Sequence, residues 1–102
     1  MGSNRRYAAD IDRRMDARIT ERIMRSGEPQ SLTRAEQQRG DIPLTTDPHP
    51  SAVRAWVRYP DGPLEVDARA VMWTSRAVGI VWDGPDGVEH RAWVWIGAVE
   101  RA

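Results

Sequence analysis

The chain has 102 residues with 15 basic and 15 acidic side chains, so it carries no net charge and lacks the broad positive field typical of nucleic-acid-binding domains. It contains no cysteine, which excludes disulfides and cysteine-ligated metals. No apolar run approaches the roughly 18 residues of a membrane span, and no signal-peptide pattern opens the chain, so we expect a cytoplasmic protein without membrane contact.

The opening segment predicts an amphipathic helix from Tyr7 to about Met24. Its apolar residues recur at every fourth position, at Tyr7, Ile11, Met15, Ile19 and Ile23. This spacing places them in a slowly winding stripe suited to packing on a curved surface. Ser26 and Gly27, followed by Pro29, end the helix.

A second, shorter helix is predicted between Ser31 and Gly40. Thr33 is its N-cap, and Glu36 stands three residues later as the capping-box partner. The run Asp41–Pro50 contains three prolines and predicts an extended strap. Residues 1–50 are therefore interpreted as a helical extension and linker that precede the folded domain.

Residues 51–102 predict a small all-β domain. All five tryptophans lie after residue 55, in short Val, Ile and Ala runs separated by Pro, Asp and Gly turns. The predicted strands are Ala52–Tyr59, Leu64–Thr74, Ala77–Trp82, Val88–Trp95 and Val99–Arg101. The alternation of apolar residues changes phase near Ala70 and Val71, which predicts a bulge in the second strand. The predicted fold class is mainly β with an N-terminal α-helix.

The chain predicts five strands, with a long, bent second strand, a hairpin between the third and fourth strands, and a tight single turn before a short fifth strand. This series resembles the Src-homology-3-like small barrel. The segment Trp93–Val99 is similar to the strand, turn and strand that end that fold. The resemblance covers residues 51–102 and implies a five-stranded barrel. It does not imply polyproline recognition, because the acidic, tyrosine-rich loop of the signalling members is absent. The whole chain also resembles small uncharacterised proteins of actinobacteria and their phages.

Two of the predicted strands carry a shared pattern of arginine and tryptophan. Successive side chains of a strand point to opposite faces, so one set of residues from the first and fourth strands lies on one side of the sheet. We call this set the Trp/Arg face; it consists of Arg54, Trp56, Arg58, Arg91, Trp93 and Trp95. The residues expected to face the barrel interior are Val53, Ala55, Val57, Tyr59, Val88, His90, Ala92, Val94 and Ile96.

Two interpretations of the Trp/Arg face are open from sequence. Its tryptophans are either packed beneath the N-terminal helix or exposed to a partner. Trp and Arg are the residues most enriched at binding hot spots, and they also stack on bases and contact phosphates.

The leading functional hypothesis is a non-enzymatic protein–protein interaction module with a helical docking arm. Its partner is another protein or a second copy of the chain, since symmetric dimers are common. The alternative is a nucleic-acid-binding accessory protein, in which the arginines of the face and of the Arg5–Arg25 segment contact phosphates.

The sequence offers no constellation for catalysis, a cofactor or a metal. His49 lies between two prolines and His90 lies on a strand, and neither has a neighbouring nucleophile or a metal-pair spacing. Asp83, Asp86 and Glu89 surround a hairpin but lack the ordered ligand spacing of a calcium loop. We therefore predict neither an enzyme nor a metal protein.

Overall fold

The computed structural model describes residues 17–85 and 87–102, and in them a five-stranded antiparallel sheet follows two helices. The elements are α1 (residues 17–25), α2 (Arg34–Gln37), β1 (Thr45–Tyr59), β2 (Gly62–Trp73), β3 (Ala77–Asp83), β4 (Glu89–Trp95), a 3₁₀ turn (Ile96–Ala98) and β5 (Val99–Arg101). The strand order in the sheet is β4-β3-β2-β1-β5. The prediction of a mainly β chain is confirmed.

The bend in β2 is a β-bulge at the predicted place. Ala70 pairs with Ile80 and Met72 pairs with Gly79, so β2 contains one extra residue, Val71, between these pairs, whereas their β3 partners are adjacent. A bulge of this kind bends its strand and increases the local twist. Beyond it the strict alternation of buried and exposed residues in β2 ends, and Val71 and Met72 are both half-buried.

The first strand is longer than the sequence predicts. β1 begins at Thr45, inside the predicted proline-rich strap, and Thr45 pairs with Trp73 of β2. The register of the β1–β2 ladder shifts between Thr46 and Ser51. Within that shift the Asp47 carboxylate accepts a hydrogen bond from the His49 backbone N–H at 2.8 Å. This irregular stretch lets the strand accommodate prolines, which cannot donate to a ladder.

The core lies on one face of the curved sheet and follows the predicted alternation on β1. Thirteen buried residues form it: Val53, Ala55, Val57, Tyr59, Leu64, Val66, Ala68, Ala70, Val78, Ile80, Trp82, Ala92 and Val94. Trp82, only 2% exposed, is the largest fully buried side chain. Val88 and Ile96 are exposed, so their predicted interior position is wrong. Both lie just outside β4, where strand alternation no longer determines the face.

The hydrogen-bonded ladder does not join β4 to β1 in the described residues, and an N-terminal segment lies between them. The Gln30 N–H donates to the Arg58 carbonyl of β1 at 2.7 Å. Two residues later the Leu32 N–H donates to the Trp93 carbonyl of β4 at 2.9 Å. The Trp93 N–H donates in turn to the Ser31 hydroxyl at 2.8 Å. We call residues Gln30–Leu32 the bridging segment, because they bond to both strands.

The end of α1 is held on the β domain. Ile23 and Met24 pack against the core cluster, and the Ser26 hydroxyl accepts a hydrogen bond from the Asp61 N–H in the β1–β2 turn at 3.2 Å. The predicted helix is thus confirmed over residues 17–25. Its earlier apolar positions lie outside the described residues: Tyr7, Ile11 and Met15.

Candidate functional site

A groove of about 610 Å³ lies where β1, β4 and the bridging segment meet. Its main lining residues are Gln30, Leu32, Glu36, Trp56, Arg58, Pro63, Trp93, Trp95 and Ala98. Four of the six residues of the Trp/Arg face therefore line one cavity. We call this cavity the Trp groove.

Two of the three groove tryptophans are open to solvent. Trp56 is 52% exposed on β1, and Trp95 is 45% exposed at the end of β4. Ile96, next to Trp95 in the chain, is also exposed. Neighbouring exposed apolar side chains on a small domain commonly mark an interaction site. The open part of the Trp groove thus has the composition of a binding surface.

Trp93, by contrast, is fixed by the protein itself. A methyl group placed on Gly79 of β3 would lie 3.2 Å from two atoms of the Trp93 ring, so the indole lies directly on the Gly79 backbone. The Arg39 guanidinium stands over the ring, 5.6 Å from its centroid, in cation–π geometry. Both main-chain groups of Trp93 bond to the bridging segment. Trp93 therefore forms a wall of the groove and is only half-buried.

The arginines of the Trp/Arg face differ in their electrostatic surroundings. Arg54 forms ion pairs with Glu65 and Asp67 of β2, each at 3.7 Å. Arg58 lines the groove, and no carboxylate of the described residues forms an ion pair with it. The positive charge of Arg58 is thus available to a ligand in the groove.

Arg91 lies outside the Trp groove. It donates to the Glu89 carboxylate on its own strand at 2.9 Å, and Glu89 also pairs with Arg69 at 3.7 Å. These residues line a separate shallow depression beside the β2 bulge. The structure therefore brings together Trp56, Arg58, Trp93 and Trp95, but it leaves Arg54 and Arg91 in ion pairs outside this set.

The described part of α1 does not cover the groove tryptophans. Ile23 and Met24 pack against the core, and α1 contributes no lining residue to the Trp groove. In the described residues, the N-terminal helix therefore does not bury all the outward-facing tryptophans. The burial of Trp93 comes instead from Gly79, Arg39 and the bridging segment.

Several groove residues carry no signal in the sequence. Gln30 and Leu32 come from the segment after α1, and Glu36 comes from α2. The predicted capping box is confirmed: the Glu36 carboxylate accepts from the Thr33 N–H at 3.0 Å, and the Thr33 hydroxyl accepts from the Glu36 N–H at 3.1 Å. This local pattern gives the start of α2 but not its position beside β4.

His90 contacts a residue of the hydrophobic core. His90 stacks on the core residue Trp82, with ring centroids 5.7 Å apart. Among residues 17–85 and 87–102, no three His, Asp or Glu side chains come together in a group that could hold a metal ion. Asp86, part of the hairpin cluster considered above, lies outside the described residues.

Comparison with known proteins adds no relative: no protein-family model matches the chain, and no curated protein or solved structure matches it either. In the part of the chain that the structure describes, no helix is long and apolar enough to cross a membrane. A function for this chain therefore has to be argued from the Trp groove.

Proposed function

We propose that the protein is a non-enzymatic interaction module that binds another protein through the Trp groove. The proposed scaffold is a small barrel of the Src-homology-3-like kind, in which the bridging segment fills the gap between β1 and β4. The end of α1 and the bridging segment then belong to the scaffold rather than to a free docking arm. The hydrogen bonds from Gln30 to Arg58 and from Leu32 to Trp93 support this arrangement.

The observation that carries the proposal is the contrast among the groove tryptophans. Trp93 is committed to intramolecular contacts, whereas Trp56 and Trp95 are about half exposed to solvent and line the same cavity. The exposed indole surface does not stabilise the monomer, because apolar surface contributes a favourable free energy of folding only when it is removed from water. Exposed Trp beside an available Arg is the typical composition of a protein-binding hot spot.

A nucleic-acid ligand is supported less well by the charges. Arg54 is paired with Glu65 and Asp67, and Arg91 is paired with Glu89, so carboxylates offset two of the three arginines that would contact phosphates. A phosphate backbone would meet these carboxylates on the same face. Repulsion between like charges would then offset the attraction that usually dominates nucleic-acid binding.

Panning of a displayed random-peptide library on the full-length chain tests the proposal. We expect peptides retained by the wild-type protein to be lost from the Trp56→Ala/Trp95→Ala double variant. The matched control is Val88→Ala, which removes an apolar side chain that is equally exposed but does not line the groove. Equal retention by the double variant and the wild type would contradict the proposal.

Two further measurements distinguish the other ligands. A gel shift of single-stranded DNA or RNA at low salt, lost in Arg58→Gln, would favour the nucleic-acid alternative. Light scattering that shows a dimer, converted to a monomer by Trp56→Ala, would identify a second copy of the chain as the occupant.

A further inference from the structure

We propose that the Trp groove selects an extended peptide segment carrying an apolar side chain and, two residues away, a carboxylate. The apolar side chain packs between Trp56 and Trp95, and the carboxylate binds the Arg58 guanidinium. This inference rests on the proposed protein-binding function and specifies the chemistry of the partner.

The spacing follows from the geometry of β1. Trp56 and Arg58 are two residues apart on one strand and both side chains are exposed, so they lie about 7 Å apart along the same face. A ligand in extended conformation repeats its own side chains at the same interval. An apolar residue and an acidic residue separated by one position therefore match Trp56 and Arg58 in register, whereas adjacent residues would point to opposite sides.

The apolar residues of the groove lining can bury an apolar side chain of a ligand. Trp56 and Trp95 provide two half-exposed indoles, and Pro63, Ala98 and Leu32 add apolar surface to the lining. No backbone change is needed to admit a side chain, since the cavity of about 610 Å³ is already present. Large aliphatic and aromatic side chains should contribute the most binding free energy in such a cavity, because this free energy scales with the apolar area buried.

The sign of the charge favours an acidic ligand. Arg58 is the basic residue in the lining, and its side chain is exposed. The acidic residue of the lining, Glu36, accepts a hydrogen bond from the Thr33 N–H and forms no ion pair with Arg58 among the described residues. A carboxylate can accept two parallel hydrogen bonds from one guanidinium, which adds both strength and direction.

The test is a comparison of the peptides that the library yields with three full-length proteins. Wild type is expected to enrich Asp or Glu two positions from a large apolar residue. Arg58→Glu reverses the charge at the groove and should enrich Lys or Arg at that same position. Arg76→Glu makes the same charge change at an exposed residue outside the groove and should enrich the same peptides as the wild type.

Affinity provides a second readout. For acidic peptides selected on wild type, Arg58→Glu should weaken binding by about 10-fold or more, the size of a lost charge-assisted hydrogen bond. Replacing the peptide's Asp or Glu by Asn or Gln should weaken binding to the wild type by a similar factor. The same replacement should not weaken binding to Arg58→Glu, because there the acid faces a like charge.

Each contrary outcome has a defined meaning. Groove-dependent peptides that are basic, or proline-rich without an acid, or acidic but unaffected by Arg58→Glu, overturn the inference and leave the proposed function standing. No enrichment on wild type overturns both. Acids enriched next to the apolar residue rather than two positions away overturn the extended register.

Discussion

Trp93 and Trp56 are alike in sequence context, but the structure predicts that truncating them has different consequences for stability. A tryptophan buries about 150–250 Å², which at about 25 cal/mol per Å² corresponds to about 4–6 kcal/mol when the side chain is fully buried. Trp56 is 52% exposed, so burial of the remaining half sets an upper limit of about 2–3 kcal/mol on the cost of Trp56→Ala. Trp93 packs on Gly79 and beneath Arg39, so Trp93→Ala should cost about 3–5 kcal/mol.

Urea unfolding followed by fluorescence measures this difference. With a denaturant slope of about 2 kcal/mol per M, a difference of about 1–2 kcal/mol places the Trp93→Ala midpoint roughly 0.5–1 M below that of Trp56→Ala. The slopes of the two variants should agree, so that the midpoints report stability alone. Equal midpoints, or a lower midpoint for Trp56→Ala, would refute the assignment of Trp93 to the scaffold and Trp56 to the ligand surface.

Three other substitutions test the scaffold. Thr74→Val should destabilise the fold by about 1–3 kcal/mol, because the buried Thr74 hydroxyl accepts a hydrogen bond from the buried Ala77 N–H at 3.1 Å. Calorimetry measures this loss, and Thr74→Ser, which keeps the hydroxyl, is the control. Gly27→Ala should lower the melting temperature, since Gly27 has a φ of +149° and the new methyl group would lie 2.8 Å from Pro60. An unchanged melting temperature would contradict the docking of the end of α1 on the β domain. Thr33→Ala should lower the stability by about 0.5–2 kcal/mol through loss of the N-cap of α2. Thr33→Ser should retain most of the stability, and equal losses in the two variants would argue against the cap.

Local patterns were sufficient to predict much of the sheet. The change of phase at Ala70 located the bulge, because alternation cannot continue through an extra residue. The final strand, Val99–Arg101, has the predicted bounds, since Gly97 and Ala98 mark the turn before it. Thr33 and Glu36 gave the start of α2, because a capping box is a pattern of residues three positions apart.

Long-range contacts were not predictable in this way. Ser31 and Trp93 are 62 positions apart, and their hydrogen bond leaves no periodic trace in either segment. The start of β1 at Thr45 was missed because Pro48 and Pro50 indicate an extended strap, whereas the register shift accommodates them within a strand.

The candidate site was predictable only in part. Alternation placed Trp56, Arg58, Trp93 and Trp95 on one side of the sheet, and the structure gathers these four in one groove. Alternation could not show that Arg54 is offset by acidic residues of β2, because that depends on how the two strands are paired. Nor could it show which tryptophan is fixed, because the Gly79 surface beneath Trp93 belongs to another strand.

The most direct test of the account is acrylamide quenching of tryptophan fluorescence in the full-length chain, compared with the Trp56→Phe/Trp95→Phe double variant. If these two indoles are open to solvent, wild type should show a quenchable, red-shifted component that the double variant lacks. Light scattering on the same samples verifies that both proteins are monomeric. Equal quenching and equal emission maxima in the two monomeric proteins would show that the groove tryptophans are shielded, and would contradict the assignment of the Trp groove as an open binding surface.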